Sequence, residues 1–499
     1  MKKHICIHGH FYQPPREDPW SGEVEAEESA KPFHDWNERI TKECYEANTQ
    51  APILNAKGEP SEHVNNFKNI SFDIGPTLLS WLRKNNAPTY RAILAADRES
   101  ALKHGGHGNA MAQVYNHLIM PLAKKRDKVT QVRWGIRDFE FHFKRKPEGM
   151  WLSETAVDRE TLEILADHEI LFTVLAPHQA SRKRHIGFGH QWEFVPHEGI
   201  DPKQPYRVLL SRGRQFHVFF YDGPVSRAIA FQGLLMNGDQ FAQRLMNAFG
   251  RRDREQLVST ATDGESFGHH HKFGEMALAY AAKKIAEQHM ASLTNYAEYL
   301  SRYRSYWEAD IHENSSWSCA HGVERWRSDC GCRLNHADGW NQKWRGPLRE
   351  AFDHLSGIVD KVFEKELGDL VRDPWEARND YIELMLDNSE QSRYHFFERH
   401  ALKRLSHLDV DKIIDLLEAQ RFALYMYTSC GWFFDEISGI EPVKVMKYAL
   451  RAMELVQPYR KEPIEPGFLK ILAAAQSNVP GMGTGEDVFN KFVRRNDGV

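Results

Sequence analysis

The chain has 499 residues, of which 41% are hydrophobic and 12% aromatic. This length is too great for a single small binding module and is sufficient for a large packed domain with further regions. Lys and Arg total 65 against 69 for Asp and Glu, and the net charge of −4 without long charged runs does not favour nucleic acid as a partner. No apolar run approaches the roughly 18 residues of a membrane span, and no apolar signal-peptide core follows the N-terminus. Six cysteines are too few for a disulfide scaffold in a chain of this size. We therefore expect a cytoplasmic protein.

The first half of the sequence alternates short apolar runs with helix-like segments, which is the pattern of a parallel sheet wrapped by helices. Each predicted strand ends in polar, glycine or proline residues, and in α/β barrels the loops after the strands build the active site. We predict helices over 76–83 and 159–168, the second capped by Asp158. The predicted strands are 4–8, 70–74, 171–175, 216–221 and 257–262.

Beyond about residue 275 the pattern changes to a three-to-four-residue periodicity, which indicates helices. An irregular block at 312–345, rich in Cys, Trp, Gly and Asn, interrupts this region and is too conspicuous for a plain connector. The predicted helices are 275–287, 292–308, 348–367, 381–386, 409–427 and 442–455.

Two histidines stand one residue apart at the end of the first predicted strand. Because side chains alternate along a strand, His8 and His10 lie on the same face. Such a pair can bind a metal or hydrogen-bond the hydroxyls of a substrate. It can equally be two half-buried histidines that steady a loop.

A glutamate follows a tryptophan at a predicted strand-to-helix junction. Trp151 and Glu154 in GMWLSET have the surroundings of a glycosidase carboxylate, namely a stacking face and limited solvent. The alternative interpretation is that Glu154 begins a helix or lies on the surface.

The segment TDGESFGHHH follows the last predicted strand of the first half. It places two carboxylates, Asp263 and Glu265, and the three imidazoles of 269–271 within nine residues. Neighbouring like charges and partial burial raise the pKa of a carboxyl, as a general acid near neutral pH requires. The alternative is a solvated turn before a histidine-rich helix start.

The irregular block could assemble a zinc site from Cys-x-His and Cys-x-Cys pairs. Its one-residue gaps depart from the usual two to four residues between zinc ligands, so we favour a packed loop that brings tryptophans to a sugar cleft. Glu324 and Arg325 could add polar contacts there. The block contains His312, Cys319, His321, Cys330 and Cys332, with Trp317, Trp326, Trp340 and Trp344 interleaved.

In this order, the motifs over residues 4–345 resemble those of glycoside hydrolase family 57, whose members act on α-glucans and related α-linked sugars by a retaining mechanism. His8 and His10, with Gln13 and Pro14, match the first motif, although Phe11 and Tyr12 precede the glutamine here. The segment KPEGMWLSETAVD matches the motif of the nucleophile and DGESFG that of the general acid. The resemblance therefore implies that Glu154 is the nucleophile and Asp263 the general acid.

The resemblance also implies a set of substrate contacts, including one from the faint second motif within 104–117 and others from the fifth motif at 317–326, where Cys319 is a further candidate. Whether hydrolysis or transfer to another sugar dominates stays open, as do linkage and chain length. The expected sugar-binding residues are His8, His10, Gln13, His107, Trp151, Glu265, His269, Trp317, His321 and Trp326.

For the fold, the resemblance implies an α/β architecture with an incomplete seven-stranded barrel followed by a large helical region. We predict a catalytic barrel at 1–274, a helical region at 275–360 whose Cys/Trp-rich loop completes the active site, and a helical accessory region at 361–499. We expect an α-glucan or oligosaccharide substrate, no cofactor and no nucleic-acid or membrane partner. The oligomeric state stays open.

Two other classes of protein remain as alternatives. A zinc-dependent hydrolase similar to polysaccharide deacetylases or α-mannosidases would use His8, His10, one of 269–271 and Asp263 at a metal. A glycan-binding protein with a decayed site would bind sugars without turnover. The intact pair of carboxylates argues against the second alternative.

Overall fold

The computed structural model describes residues 2–187, 189–196, 199–251, 254–334 and 337–494, and its strands follow the apolar runs of the sequence. All five predicted strands are confirmed, each within a few residues of its predicted bounds. The strands are β1 (Lys3–Phe11), β2 (Ala51–Leu54), β3 (Pro60–Val64), β4 (Ser71–Ile74), β5 (Ala112–Gln113), β6 (Met150–Trp151), β7 (Phe172–Leu175), β8 (Ala180–His185), β9 (Glu193–Phe194), β10 (Pro205–Leu209), β11 (Gln215–Phe220), β12 (Gln256–Asp263), β13 (Ser292–Leu293) and β14 (Trp307–Ile311).

Seven of these strands pair in parallel, in the order β12-β1-β4-β5-β6-β7-β11. Strand β1 pairs with β12 along eight residues, from Lys3 opposite Gln256 to His10 opposite Asp263. Its carboxyl end pairs with β4, and ladders also join β5 to β6 and β7 to β11. Single bridges join Phe72 of β4 to Ala110, two residues before β5, and Phe172 of β7 to Gly149, directly before β6. The parallel direction of these strands agrees with the predicted α/β fold, whereas the incomplete seven-stranded barrel stays a prediction.

The row of seven strands curls. Three strand-to-strand steps separate β1 from β6, which in a flat sheet is about 14 Å. The rings of His8 on β1 and Trp151 on β6 are nevertheless stacked, with centroids 4.8 Å apart. Side chains at the carboxyl ends of these strands therefore converge on one region.

Four further strands extend the sheet beyond β11, and the sequence did not reveal them. Strand β10 pairs antiparallel with β11 and parallel with β14. Beyond β14, β8 pairs antiparallel with β14, and β9 pairs antiparallel with β8. The predicted helix at 292–308 is wrong at both ends, because residues 292–293 form β13 and β14 starts at residue 307. Only Tyr296–Arg302 within this range is helical. Pairing of these short segments with neighbouring strands overrides their helix-like periodicity.

The helices confirm the other predicted helical segments, and Asp158 caps its helix as expected, since its carboxylate accepts from the Thr161 N–H at 2.8 Å. A π-helical turn over Thr41–Tyr45 lies between the first two helices. The helices are α1 (Trp36–Ile40), α2 (Glu46–Thr49), α3 (Pro76–Asn85), α4 (Ala87–Lys103), α5 (Lys125–Phe143), α6 (Arg159–Asp167), α7 (Gly223–Phe231), α8 (Gly238–Asn247), α9 (Gly274–Glu287), α10 (Tyr296–Arg302), α11 (Arg345–Leu367), α12 (Pro374–Asp380), α13 (Ile382–Leu386), α14 (Glu390–His400), α15 (His407–Tyr425), α16 (Cys430–Phe433), α17 (Ile440–Val456), α18 (Glu465–Leu472) and α19 (Gly485–Phe492).

The chain divides into two compact units. The first comprises Met1–Gln13, Glu25–Gln113 and Phe139–Trp317 and contains the sheet. The second comprises Pro14–Val24, Val114–Asp138 and Ser318–Val499. The predicted α/β fold with a large helical C-terminal region is confirmed, whereas the division at residues 274 and 360 stays a prediction.

Each unit has its own packing. In the first, buried aromatic and aliphatic side chains of β1, β6, β7, β11 and β12 form a common core. In the second, α15 packs on α17 and on α11, and α11 packs on α18. Among the described residues, no helix combines the length and the apolar character that a bilayer crossing requires.

Candidate active site

The candidate catalytic residues of the first unit lie at the carboxyl ends of its parallel strands. Asp263 is the last residue of β12, His10 lies near the end of β1 and Asp73 near the end of β4. The register places His10 between the other two, opposite Asp263 on one side and opposite Asp73 on the other. Glu154 follows β6 by three residues. The sheet thus brings four titratable groups to one edge.

Asp73 holds both histidines of the first motif. The His10 Nδ1–H group donates to Asp73 Oδ2 at 2.7 Å, and His8 Nε2–H donates to Asp73 Oδ1 at 3.0 Å. The second ring nitrogen of His8 lies 3.0 Å from the Ser71 hydroxyl, which donates to it when the ring is neutral. Asp73 and His8 are completely buried and His10 is 4% exposed, so the three side chains form a fixed network.

The pKa values of the two histidines shift in opposite directions because their surroundings differ. Burial lowers the pKa of His8 and outweighs the attraction of Asp73. For His10, burial opposes protonation, but the charges of Asp73, Asp263 and Glu154 together raise its pKa. Burial likewise opposes ionisation of Asp73, yet its hydrogen bonds and the charge of His10 lower its pKa. The network therefore favours a cationic His10 next to an ionised Asp73.

Trp151 supports this network from one side. Its indole stacks on His8 at 4.8 Å and on His10 at 5.1 Å between ring centroids, and it meets the Trp317 ring edge-on at 5.2 Å. Trp151 and His8 have no exposed surface. We therefore revise the predicted sugar contacts of both residues, because neither has an exposed surface. Trp151 packs on His10 and Trp317, and His8 shares Asp73 with His10.

Glu154 sits in a strained turn. Its backbone lies in the left-handed region, with φ 56° and ψ 21°, and Thr155 follows at φ 51°. Such angles in a residue with a side chain cost of order 1–3 kcal/mol and persist only where neighbours impose them. The Trp317 indole N–H donates to Glu154 Oε2 at 2.9 Å, and the Trp317 backbone N–H donates to the Glu154 carbonyl at 3.0 Å.

A buried glutamine fixes the same turn from behind. Gln179 Nε2–H donates to the Thr155 carbonyl at 2.8 Å, and its Oε1 accepts from the Thr155 hydroxyl at 2.8 Å. The same amide group donates to the Ser315 hydroxyl at 3.1 Å. Because Gln179 is completely buried, the amide joins the Glu154 turn to the segment that carries Trp317. Gln179 is thus a positioning residue for both.

Asp263 occupies a recess. It is accessible to solvent, yet the protein atoms around its carboxyl are dense enough that burial raises its pKa. The charge of His10 lowers this pKa and the charge of Asp73 raises it, and the net direction is upward. An accessible carboxylic acid with a raised pKa is suited to donate a proton.

Close packing against Phe11 explains why the residue after Asp263 is a glycine. A Cβ atom on Gly264 would lie 2.5 Å from the Phe11 ring, and one on Gly9 would lie 2.6 Å from the same ring. Phe11 is completely buried between Tyr45 and Phe67. The inserted Phe11 therefore points into the core and requires glycine in both motifs.

The structure also places the glutamine of the first motif. Gln13 Nε2–H donates to Glu265 Oε1 at 2.8 Å, and both side chains are buried. Tyr12 stacks on His10, with centroids 5.7 Å apart and planes 8° apart. Gln13 and Glu265 thus hold each other beside Asp263, and their predicted sugar contacts stay a prediction.

Two predicted contact residues lie elsewhere in the first unit. His107 precedes β5, and its Nδ1 lies 2.8 Å from Oε1 of Glu148, which precedes β6. This is the amino end of the strands, opposite the candidate catalytic residues, and the predicted sugar contact of His107 stays a prediction. His269 pairs with Glu43, its Nδ1 at 2.5 Å from Oε2, and is partly exposed. Its sugar contact stays a prediction.

The remaining candidates belong to the second unit. Trp326 is completely buried and presents no face to a ligand, so we revise its predicted sugar contact. His321 is exposed, and its Nδ1 lies 3.6 Å from Cys332 Sγ. Within the described ranges, one group of at least three potential metal ligands has all its donor atoms within 4.8 Å of one another. That group is Cys319, His321, Cys330 and Cys332, and not the histidine pair with Asp263.

The sequence did not identify Asp73 or Gln179. A signal for Asp73 existed, since it is the one acid in the apolar run ISFDI, and a buried acid in a strand needs partners. Gln179 stands in the APHQ loop after a predicted strand, but nothing local distinguishes it from a surface glutamine. Its role depends on Thr155, 24 residues away, and on Ser315, 136 residues away.

Comparison with protein families gives two matches. The model described as Glycosyl hydrolase family 57 matches residues 6–311. A model described as a domain of unknown function (DUF3536) matches residues 340–497. No curated protein matches the chain in sequence.

Several solved structures share the fold. An exo-type maltose-forming amylase from Pyrococcus sp. ST04 has a TM-score of 0.71 at 17% identity, over 98% of this chain and 88% of that one. A branching enzyme from Thermococcus kodakaraensis has a TM-score of 0.54 at 13% identity, over 99% and 94%. A 4-α-glucanotransferase from Thermococcus litoralis has a TM-score of 0.53 at 16% identity, over 92% and 60%.

Proposed function

Since the chain belongs to glycoside hydrolase family 57, we propose that it cleaves or transfers α-linked glucosyl units of glucans or oligosaccharides with retention of configuration. Glu154 is the nucleophile and Asp263 the general acid and base. The choice of α-glucans rests on the amylase, branching enzyme and glucanotransferase that share the fold.

One observation carries the assignment of the two carboxylates, namely a continuous series of contacts between them. Glu154 accepts from the Trp317 indole N–H. The Trp317 ring meets the His10 ring edge-on, with centroids 6.4 Å apart. His10 lies opposite Asp263 on the neighbouring strand, and its pKa responds to the charges of both Asp263 and Glu154. Two acids a hundred residues apart in sequence thus act on one imidazole.

In the first step, a Glu154 oxygen forms a bond to the anomeric carbon while the bond from that carbon to the glycosidic oxygen breaks. The Asp263 carboxylic acid gives its proton to the departing oxygen. A covalent glycosyl-enzyme results, and its geometry calls for carboxyl groups about 5–5.5 Å apart. The raised pKa of Asp263 keeps the proton available for this step.

In the second step, Asp263 is a carboxylate and takes a proton from water or from a hydroxyl of a second sugar. The oxygen so activated attacks the anomeric carbon, and the bond to Glu154 breaks, which regenerates both groups. Water gives hydrolysis, and a sugar hydroxyl gives transfer. Which of the two dominates depends on how firmly an acceptor is held.

His10 and Asp73 serve this pair of acids electrostatically. A cationic His10 beside Glu154 and Asp263 favours ionisation of both and so limits how far burial raises the pKa of Asp263. Asp73 keeps His10 protonated and fixes its ring. Trp317 and Tyr12 are half-buried, and their rings flank His10, so we assign sugar stacking to them.

A cytoplasmic location is part of the proposal. All six cysteines lie within the described ranges, and none of them is joined in a disulfide. Thiols persist in a reducing compartment, which agrees with the expectation from the sequence.

The test separates the two roles. The protein is incubated with maltooligosaccharides and α-glucans, and the products and their anomeric configuration are followed. Glu154→Gln abolishes turnover of every substrate. Asp263→Ala loses activity on natural substrates but keeps the first step on a 4-nitrophenyl α-maltooligoside, whose leaving group needs no proton. Glu169→Gln and Asp239→Asn, both exposed acids, keep wild-type rates.

Azide identifies each role independently. With Glu154→Gly, azide attacks the activated substrate directly and gives a product of inverted configuration. With Asp263→Ala, azide attacks the glycosyl-enzyme and gives a product of retained configuration. Rescue with the opposite configurations would reverse the assignment. Sugar binding without turnover in the wild-type protein on every substrate would favour the glycan-binding alternative.

A further inference from the structure

Four side chains of the second unit converge outside the proposed sugar site. Cys319, His321, Cys330 and Cys332 each offer one ligand atom, and these atoms lie within 4.8 Å of one another. They come from two short segments on either side of a 3-10 turn over Glu324–Trp326. The cluster needs a physical reason, because thiols and imidazoles interact only weakly with one another.

The distances within the cluster are those of a tetrahedral zinc site. A zinc ion with Zn–S bonds of about 2.3 Å and a Zn–N bond of about 2.05 Å separates two sulfurs by about 3.8 Å and sulfur from nitrogen by about 3.6 Å. Cys319 Sγ lies 3.8 Å from both Cys330 Sγ and Cys332 Sγ. Cys332 Sγ lies 3.6 Å from His321 Nδ1. The three measured edges therefore match the expected ones.

Other uses of these residues explain less. A disulfide requires sulfurs about 2.05 Å apart and would join only two of the three cysteines. The structure has all three as free thiols. A chance cluster in a packed loop gives no reason for an imidazole nitrogen and three sulfurs that all lie within 4.8 Å of one another.

The one-residue gaps, which disfavoured zinc at the level of sequence, have a structural solution. Gly331, between Cys330 and Cys332, lies in the left-handed region at φ 81°. Gly322, directly after His321, does so at φ 84°. Such angles favour glycine and let the backbone turn inside the Cys330–Cys332 pair and directly after the Cys319–His321 pair. Two tight turns thus replace the longer spacer of common zinc motifs.

The surroundings supply the charge that a zinc site with three thiolates requires. Such a site carries a net charge of −1, since three thiolates exceed the two charges of the ion. Arg345 is completely buried, and its Nη1–H donates to the Cys332 carbonyl at 2.8 Å. Arg325, 4% exposed, donates to the Ser318 carbonyl at 3.2 Å. Two buried guanidinium groups bound to the ligand loop complement an anionic centre.

We propose that Cys319, His321, Cys330 and Cys332 bind one zinc ion and that the ion cross-links the loop over residues 319–332. Three sulfurs and one nitrogen in a tetrahedron select zinc among the common divalent metals. All four positions are filled by protein ligands, which is typical of a structural site and leaves no position for a substrate. The site is independent of the proposed glycosidase chemistry.

The first experiment measures metal in the full-length protein purified under reducing conditions without added ions. Elemental analysis should find about one zinc per chain. Cys330→Ser and Cys332→Ser should lose most of it. Cys430→Ser is the matched control, because Cys430 is a half-buried cysteine of the same unit outside the cluster, and it should keep the wild-type content.

The second experiment uses cobalt as a spectroscopic probe of the wild-type protein and stays informative if the serine variants fail to fold. Protein stripped with a chelator and reloaded with CoCl₂ should show the strong visible bands of tetrahedral Co²⁺ and a thiolate charge-transfer band. Chelator should also lower the Tm of wild type and of Cys430→Ser alike, and zinc should restore it.

Three results would overturn the proposal. One is wild-type protein that contains no zinc and shows no tetrahedral cobalt spectrum on reloading. Another is iron with acid-labile sulfide in place of zinc. The last is equal loss of zinc in Cys430→Ser and Cys332→Ser. None of these results bears on the roles of Glu154 and Asp263, so the two proposals fail separately.

Discussion

The side chain and backbone of Trp317 both bind Glu154. The indole N–H donates to the carboxylate at 2.9 Å and the backbone N–H to the carbonyl at 3.0 Å. The same tryptophan meets the rings of Trp151 and His10 edge-on. The turn that presents the proposed nucleophile is therefore fixed from a segment 163 residues away in sequence.

Removal of the indole N–H should weaken catalysis more than folding. We expect Trp317→Phe to lower kcat about 10- to 100-fold, because a hydrogen bond to a charged group contributes roughly 1.5–3 kcal/mol. The phenyl ring still packs in place, so KM should change less than kcat. Steady-state kinetics on a maltooligosaccharide measure both. Trp192→Phe, at a half-buried tryptophan of the same unit that packs on Arg182 and Arg184, should leave kcat unchanged. Equal losses in the two variants would contradict a specific role of Trp317.

The left-handed backbone of Glu154 predicts an unusual order of stability. Glu154→Gly and Glu154→Ala both lose the carboxylate, but the glycine variant should be more stable by about 1 kcal/mol, because only glycine adopts this conformation without strain. Thermal unfolding of both variants measures the difference. Glu169, exposed and also at positive φ, 63°, is the matched control. Glu169→Gly should likewise be more stable than Glu169→Ala. If Glu154→Ala were more stable than Glu154→Gly while the Glu169 pair kept the expected order, the turn at Glu154 would have relaxed.

The charge of His10 predicts a shift in the pH profile. Asp263 must be protonated to act as the acid, so kcat/KM should fall as the pH rises through its raised pKa. His10→Gln removes a charge that lowers this pKa, and the alkaline limb should therefore move to higher pH. The profile of kcat/KM against pH measures the shift. His168→Gln, at the end of α6, is the control and should not change the pH of the alkaline limb. If His10→Gln also left this limb unchanged, the charge of His10 would not affect the pKa of Asp263.

Asp73 should contribute to stability over a defined pH range. Its own pKa is lowered in the folded state, so its contribution is present above its ordinary pKa of about 4 and is lost as the pH falls through the lowered value. The raised pKa of His10 gives a contribution that is fully present below about pH 6.5 and is lost as the pH rises through the raised value.

Asp73→Asn should therefore destabilise most between about pH 4 and 6.5 and less at alkaline pH, with a cost of about 3–5 kcal/mol because it leaves a buried partner uncompensated. Thermal unfolding at pH 5.5 and at pH 9 measures the difference between variant and wild type. A difference in Tm that does not depend on pH would show that Asp73 acts through hydrogen bonds alone.

Gly264 should not tolerate a side chain. In Gly264→Ala the new Cβ would lie 2.5 Å from the Phe11 ring, which Tyr45 and Phe67 hold in place. We expect a loss of about 1–3 kcal/mol and a displaced Asp263, hence low activity. Thermal unfolding and a rate assay report the two effects. Gly357→Ala is the control, because a Cβ atom at this position of α11 would meet open space, so the change should be neutral or stabilising. Full activity in Gly264→Ala would contradict the packing argument.

The parts of the site that the sequence could predict are those with a local signal. Glu154 and Asp263 follow apolar strands and carry recognisable neighbours, and the five strands of the first half were found from alternation and turn residues. Asp73 carries only the weak signal of a lone acid in an apolar run and Gln179 carries none, because their partners lie on other segments of the chain. The sequence could not predict at which end of the strands His107 lies, since a helix-to-strand loop and a strand-to-helix loop look alike in composition but lie at opposite ends of the sheet.

The sequence by itself determined the class of fold, five of the strands, most of the predicted helices and the positions of the two candidate acids next to strand ends, because hydrophobic periodicity and turn residues act over a few positions. Only the tertiary structure decided what those residues face. In the tertiary structure Trp151 and His8 are buried, and both histidines of the first motif bind Asp73. Three cysteines lie close to His321. The physical reason is that the curl of the sheet and the path of each loop set distances between residues far apart in the chain, and no local pattern encodes those distances.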